Sequence, residues 1–145
     1  MSQGKLFEVL LVEDNPADVR LTQEALNETK LPYRMHVAID GVEALHFLRR
    51  EGAYTDAPRP QLILLDWNLP KMDGREVLGD IKQDAALREI PVVVLTTSRA
   101  EIDIARAYDL HANCFITKPV NVFQFFDVIS AVEQFWLKTA TLPST

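Results

Sequence analysis

The stretch Leu62-Ile63-Leu64-Leu65-Asp66-Trp67-Asn68-Leu69-Pro70 decides the fold, because four consecutive apolar residues run directly into an aspartate. A short apolar run bounded by turn signals is typical of a strand buried on both faces, as in a parallel sheet. Three further runs of this kind also end on reactive residues. They are Val9 to Val12 before Glu13-Asp14, Val92 to Leu95 before Thr96, and Cys114 to Thr117 before Lys118-Pro119. Ligands of open α/β sheets bind beyond the carboxyl ends of the strands, so these reactive residues should converge on one edge.

Helical patterns alternate with these runs along the chain. Asn15-Pro16 offers a cap and a first-turn proline for a helix in which Ala17, Leu21 and Ala25 recur every four residues, with Leu26 beside them. The other predicted elements are a strand from Arg34 to Ile39, helices opening at Gly41 and Arg75, a helix from Ala100 to Leu110 and a last helix from about Asn121 to Leu137. The order predicts an α/β fold: a five-stranded parallel sheet with five helices on both faces and right-handed crossovers.

Size and composition favour one soluble domain. The 145 residues are 48% apolar and 25% charged, which fits a single domain over residues 1–145 with no output domain. The formal net charge of −6 argues against a nucleic-acid surface. No apolar run has the length of a membrane helix, and the chain opens without a signal-peptide core, so we expect a cytoplasmic protein with protein partners.

An acidic pair follows the first predicted strand. The segment from Glu13 to Asp18 has no glycine and would repel a phosphate, unlike the glycine-rich loop of a nucleotide binder. Such a pair suits a hard cation with oxygen ligands, and Mg²⁺ is the first candidate. The alternative is that Asp14 only caps a helix.

The ends of the other strands add a nucleophile, a hydroxyl and a cation. The carboxylate of Asp66 could attack a phosphoryl group and form an aspartyl phosphate. Thr96 could donate a hydrogen bond to a phosphoryl oxygen, and Lys118 could supply a positive charge to another. Each residue alone has an ordinary structural explanation, and spacing does not separate Thr96 from Thr97. Their combination favours a phosphorylation site.

These motifs identify a family by resemblance. Val12-Glu13-Asp14, Leu65-Asp66-Trp67-Asn68-Leu69-Pro70, Met72-Asp73-Gly74, Leu95-Thr96 and Thr117-Lys118-Pro119 resemble the receiver domains of two-component response regulators, over nearly the whole chain. The resemblance implies a flavodoxin-like receiver fold and phosphorylation of Asp66 by a histidine kinase. It implies no enzymatic activity beyond self-dephosphorylation.

The resemblance also implies roles for the neighbouring residues. Asp14, Asp66 and the Asn68 carbonyl would bind Mg²⁺ directly, with Glu13 acting through water. Thr96 would be the switch hydroxyl and Lys118 the phosphate-binding lysine. The switch aromatic, often tyrosine in receivers, is Phe115 here, so any switching rotation would lack a phenolic hydrogen bond.

Within that family, the chain looks most like the single-domain regulators that serve phytochromes. The features that indicate this are the long connection from Arg50 to Pro60, the run Leu65 to Lys71, and Thr96-Thr97-Ser98.

Two other functions are compatible with the fold class. An aspartate-nucleophile phosphatase of the haloacid dehalogenase type would need an acid two residues after its nucleophile, and Asn68 occupies that position. An interaction module that is never phosphorylated would not need both acids, Thr96 and Lys118 together.

The last predicted helix suggests a homodimer formed through the Val122–Leu137 region. Val122, Phe125, Phe126, Ile129, Val132 and Trp136 form a core-facing stripe at helical spacing. Phe123, Val128, Phe135 and Leu137 fall outside or at the margins of that stripe, which leaves an apolar outer face. An interface there is the hypothesis, and a monomer with a greasy helix is the alternative.

Overall fold

A computed structural model describes residues 6–97, 114–118, 122–127 and 130, and it contains a five-stranded parallel sheet in the order β2-β1-β3-β4-β5. The strands are β1 (Phe7–Val12), β2 (Tyr33–Ala38), β3 (Leu62–Asp66), β4 (Val92–Thr96) and β5 (Cys114–Thr117). The helices are α1 (Pro16–Glu28), α2 (Gly41–Arg49) and α3 (Gly74–Gln83), with a 3-10 turn at Gly52–Tyr54. Residues 122–127 are also helical. The predicted parallel α/β sheet is confirmed.

Capping residues explain where the helices begin. The Asn15 side chain accepts a hydrogen bond of 2.8 Å from the backbone N–H of Ala17, and Pro16 fills the first helical position of α1. Asp40 caps α2 through the N–H of Glu43. Asp73 and Glu76 form a reciprocal capping box at the start of α3. These contacts hold the loops that follow β1, β2 and β3. The reactive residues lie at this edge of the sheet.

The core consists of two apolar clusters, one on each face of the sheet. One cluster places Leu10 and Ile63 under residues of α2 and α3 such as Leu48 and Ile81. The other places Val9 and Leu64 under Leu26 of α1 and Phe125 of the 122–127 segment. Successive strand residues thus pack on opposite faces, which explains why the central strands are continuous apolar runs.

Several details of the predicted packing are wrong. In α1, Ala17 and Leu21 are exposed, and the buried residues are Thr22, Ala25 and Leu26. Strand β2 spans Tyr33–Ala38 rather than Arg34 to Ile39. Phe126, predicted to face the core, is 46% exposed, whereas Phe125 is fully buried.

Other predicted features lie outside the described residues. The predicted helix from Ala100 to Leu110 and most of the last predicted helix after residue 127 belong to this group. No helix in the described part of the chain is long and apolar enough to cross a membrane.

Candidate functional site

The carboxyl ends of four adjacent strands bring the sequence-predicted site residues together. Glu13 directly follows β1, Asp66 and Thr96 are the last residues of β3 and β4, and Lys118 directly follows β5. Strand pairing aligns these ends, since Asp66 lies opposite Leu95 and Thr96 lies opposite Thr117. All four side chains therefore lie at the same edge of the sheet.

Lys118 is the centre of an ion-pair network at this edge. Its Nζ lies 2.7 Å from Glu13 Oε1, 3.1 Å from Asp18 Oδ2 and 3.4 Å from Asp66 Oδ2. Only 11% of the lysine side chain is exposed, so solvent screens these pairs weakly. One ammonium thus links the carboxylate that follows β1 with carboxylates from α1 and β3.

The acidic residues form a compact cluster of oxygen ligands. Oxygen atoms of Glu13, Asp14 and Asp66 all lie within 4.8 Å of one another. Glu13 and Asp66 are buried, whereas Asp14 is exposed and leaves the cluster accessible from solvent. The donor set is all carboxylate, which fits a hard divalent cation.

The electrostatics of the cluster perturb two ionisable groups. Burial, assisted by the adjacent Asp66 carboxylate, raises the pKa of Glu13 to about 7 even though Lys118 opposes the shift. Burial alone would lower the pKa of Lys118, but hydrogen bonds to Glu13 and Asp18 and the charges of Asp66 and Glu13 outweigh it and raise that pKa. The Lys118 ammonium is therefore charged at neutral pH, whereas the Glu13 carboxyl group titrates close to neutral pH.

The loop after β3 holds Asp66 and Asn68 in place. The backbone N–H of Asn68 donates to Asp66 Oδ1 over 3.2 Å, which fixes one carboxylate oxygen. The N–H of Gly74 donates to the Trp67 carbonyl over 3.1 Å, so the start of α3 folds back onto the strand exit. A Cβ at Gly74 would lie 2.7 Å from the Asp66 carbonyl oxygen, so this approach requires glycine.

Burial distinguishes the two adjacent threonines. Thr96 is 1% exposed at the end of β4, and its carbonyl accepts a 2.7 Å hydrogen bond from the Lys118 N–H, whereas Thr97 is exposed. Phe115 is partly buried and packs against the cluster under α2 and α3. The network includes one residue to which the sequence reasoning gave no role. Asp18 pairs with Lys118, 100 positions away. In the sequence, only the place of Asp18 in the first turn of a helix beside the acidic pair could have indicated this role.

Known proteins are similar to this chain in sequence and in fold. The family profile of the response regulator receiver domain matches residues 9–130. Response regulator Rcp1 of Synechocystis sp. is 51% identical over 136 residues, which cover 94% of this chain and 92% of that protein.

Solved structures give the same picture. The phosphorylated cyanobacterial phytochrome response regulator RcpA is 55% identical, with a TM-score of 0.76 over 96% of this chain and 99% of that one. The bacteriophytochrome response regulator AtBRR is 46% identical, with a TM-score of 0.82 over 90% and 94% of the two chains. The Mn²⁺-bound form of Rcp1 is also similar, with a TM-score of 0.73, 51% identity, and coverage of 94% and 98%.

Proposed function

The chain belongs to the response regulator receiver family, and on that premise we propose that Asp66 is the residue on which it accepts a phosphoryl group from a histidine kinase. The observation that carries the proposal is the ion-pair network, which brings Lys118 Nζ within 3.4 Å of Asp66 Oδ2. A buried carboxylate beside a fixed ammonium is prepared to receive a negatively charged group.

The transfer step follows from this placement. An oxygen of the Asp66 carboxylate attacks the phosphorus of the phosphohistidine, and an O–P bond forms as the donor N–P bond breaks. The electron pair of that bond stays on the imidazole, which takes up a proton. One oxygen of Asp66 is held by the Asn68 N–H, and the other faces Lys118.

Mg²⁺ is the cofactor that the acidic cluster fits best. Asp14, Asp66 and the Asn68 carbonyl would hold the ion directly, and Glu13 would hold it through water. When bound, the ion would offset the negative charge that accumulates between phosphoryl oxygens and carboxylates. The all-carboxylate donor set within 4.8 Å supports this assignment.

We propose that Thr96 and Phe115 change position when Asp66 is phosphorylated. The Thr96 hydroxyl belongs to a buried residue at the end of β4, next in the sheet to the strand that carries Asp66. A hydrogen bond from this hydroxyl to a phosphoryl oxygen would pull the end of β4 toward Asp66. Phe115 on β5 would then repack without the phenolic hydrogen bond of a tyrosine.

The input and output of the protein are also proposals. The likeness to RcpA and AtBRR, both described as phytochrome response regulators, supports a phytochrome-linked histidine kinase as the donor. We propose that residues 1–145 act as a single receiver domain in the cytoplasm and signal through protein contacts, including a homodimer, rather than by turnover of a substrate.

Intact-mass measurement after acetyl phosphate treatment tests the assignment. The wild type should gain one phosphoryl group in Mg²⁺ and none in EDTA, and Asp66→Ala should gain none. Asp56→Asn, which changes an exposed residue of the 50–60 connection, serves as the matched control and should react like the wild type. A phosphoryl group that persists on Asp66→Ala would refute the proposal.

Trp67 is adjacent to Asp66, so its fluorescence should change when the protein is saturated with Mg²⁺.

A further inference from the structure

A groove rich in arginine lies at the opposite edge of the sheet from Asp66. It has a volume of about 370 Å³, its walls include Arg49, Arg50, Arg59 and Asp84, and apolar contacts come from Leu48 and Leu87. We call it the arginine groove. It is formed by the end of α2, the segment before β3 and the turn after α3, so the length of β3, roughly 15 Å, separates it from the phosphorylation site.

The local charge of the arginine groove is opposite to that of the whole chain. Three guanidinium groups meet one carboxylate there, whereas the protein carries a net charge of −6. The dipole of α2 favours cations at its carboxyl end and accounts for Arg49 and Arg50. It does not account for Arg59, which lies outside any helix.

The protein uses few of the hydrogen-bond donors that these arginines carry. Arg59 Nη1 donates to the Ala86 carbonyl, and Arg49 Nε lies 3.7 Å from Asp84 Oδ2. Arg50 forms neither an ion pair nor a side-chain hydrogen bond with any residue in the described part of the chain. Each guanidinium has five N–H donors in a planar fork, so most of the donors remain available to a ligand.

The backbone conformation of Arg50 is one that most side chains disfavour. Arg50 is the C-cap of α2 and adopts a left-handed conformation with φ of 57°. Glycine or asparagine is more common in that conformation. Glycine would be less strained there, and Arg50 instead places a guanidinium group at the groove.

The shape of the groove indicates an extended occupant. A second depression of about 290 Å³ adjoins the first, shares Arg49 and Asp84, and continues along α3 to Asp80 and Gln83. The Arg49 side chain is 39% exposed, so the walls are open and would bury little of a small molecule.

We propose that the arginine groove docks an acidic peptide segment of a partner protein. Carboxylates of the peptide would pair with the guanidinium forks of Arg50 and Arg59. The chain would continue past Arg49 toward Asp80, where a basic or amide side chain fits. The groove shares no residue with the acidic cluster around Asp66.

Fluorescence anisotropy with a labelled peptide of four glutamates followed by four glutamines tests the proposal, because the glutamines can lie beside Asp80. At low salt the full chain should bind this peptide in a saturable manner, and the octaglutamine peptide should not bind. Arg50→Gln and Arg59→Gln should each weaken binding by about tenfold, as expected for the loss of a charge-assisted contact. Arg20→Gln removes an exposed arginine from α1 on the other face of the sheet and should leave affinity unchanged.

Three results would overturn the docking site. One is no saturable binding by the wild type, and another is an equal loss with Arg20→Gln, which would indicate diffuse charge attraction. The third is arginine-dependent binding of inorganic pyrophosphate that is tighter than that of the peptide, which would make the groove a small-anion site. Asp66→Asn should bind the peptide like the wild type, so the result does not depend on the phosphorylation assignment.

Discussion

Lys118 is the residue that balances the charge of the site. Its ammonium contacts three carboxylates, and two of them, Glu13 and Asp66, are buried. Without the lysine these acids would face one another with no cation between them. The residue therefore has a structural role in the metal-free protein as well as the proposed role toward phosphate.

We predict that Lys118→Ala lowers the free energy of unfolding in EDTA by about 2–3 kcal/mol, since it leaves buried carboxylates unpaired. Lys71→Ala is the matched control, because Lys71 pairs with Asp40 at 3.5 Å but is 70% exposed. That control should cost at most about 1 kcal/mol. Urea denaturation of both variants measures the difference. Equal losses would contradict the central role of Lys118.

Glu13 predicts a specific pH dependence in the metal-free protein. Its pKa is about 7 in the folded state, against 4.5 for an ordinary glutamate. Below pH 4.5 both states hold the proton. Between pH 4.5 and about 7 the unfolded chain has released the proton and the folded protein still holds it. The contribution of Glu13 to stability is therefore lost as the pH rises through about 7. The loss should amount to at most about 3 kcal/mol.

The comparison that isolates this effect uses Glu13→Gln, which has no proton to release. Between pH 4.5 and 8 in EDTA, the unfolding free energy of the wild type should fall by more than that of Glu13→Gln. Glu28→Gln, at the exposed end of α1, should follow the wild type. Parallel curves for the wild type and Glu13→Gln would show that burial does not perturb this carboxyl.

The start of α3 is the element that holds the Asp66 loop closed. Gly74 lies so near the strand exit that an added Cβ would be 2.8 Å from Trp67 Cα, whereas a Cβ at Gly79 in the same helix meets nothing within 4 Å. The two glycines thus form a natural pair for one experiment, because both are helical and only one is confined.

We predict opposite effects of alanine at the two positions. Gly74→Ala should destabilise the protein by about 1–3 kcal/mol, since the backbone of the loop must move. Gly79→Ala should stabilise it by about 0.5–1 kcal/mol through helix propensity. Thermal unfolding of both variants distinguishes them, and the rate of acetyl phosphate labelling should fall only for Gly74→Ala. A stable Gly74→Ala variant would mean that the close approach is not required.

The strands could be read from the sequence more reliably than the helix faces. Burial on both faces makes β1, β3 and β4 nearly continuous apolar runs, and none of the helices in the described part of the chain has that pattern. In α1, a four-residue repeat advances by about 40° per step around the helix, so Ala17 and Leu21 drift out of the buried face. The buried face of α1 includes Thr22, and a polar side chain at that position does not contribute to an apolar pattern in the sequence.

The site shows the same division between local and long-range information. Residues at strand ends, such as Glu13, Asp66 and Thr96, could be located because a strand end is visible in the sequence. The contact of Asp18 with Lys118 could not, because it depends on how α1 sits against the end of β5, 100 residues away.

At the scale of the described part of the chain, an acidic cluster and a basic groove lie at opposite edges of the sheet. The carboxyl edge carries the acidic cluster around Asp66, and the amino edge carries the arginine groove. Phosphorylation would add negative charge only to the first edge. The two edges can therefore take different partners, and neither overlaps the exposed aromatic residues of the 122–127 segment.

Those aromatic residues carry the final prediction, that the chain forms a homodimer through the Val122–Leu137 region. In the described part of this region, Phe125 fills the core, while Phe123 is 74% and Phe126 is 46% exposed. Two exposed phenylalanines on one short helical segment are costly in water unless another surface covers them. A second copy fits, since the same face on two molecules makes a self-complementary interface.

Sedimentation velocity at micromolar concentration should give twice the monomer mass for the wild type. Phe123→Glu should reduce the mass to that of a monomer without changing thermal stability, because the side chain makes little contact with its own core. Val42→Glu is the control, because Val42 is a 41% exposed residue on α2, which packs on the opposite face of the sheet. That variant should remain dimeric. A wild type that is monomeric with and without acetyl phosphate treatment would leave these aromatic residues to a different partner.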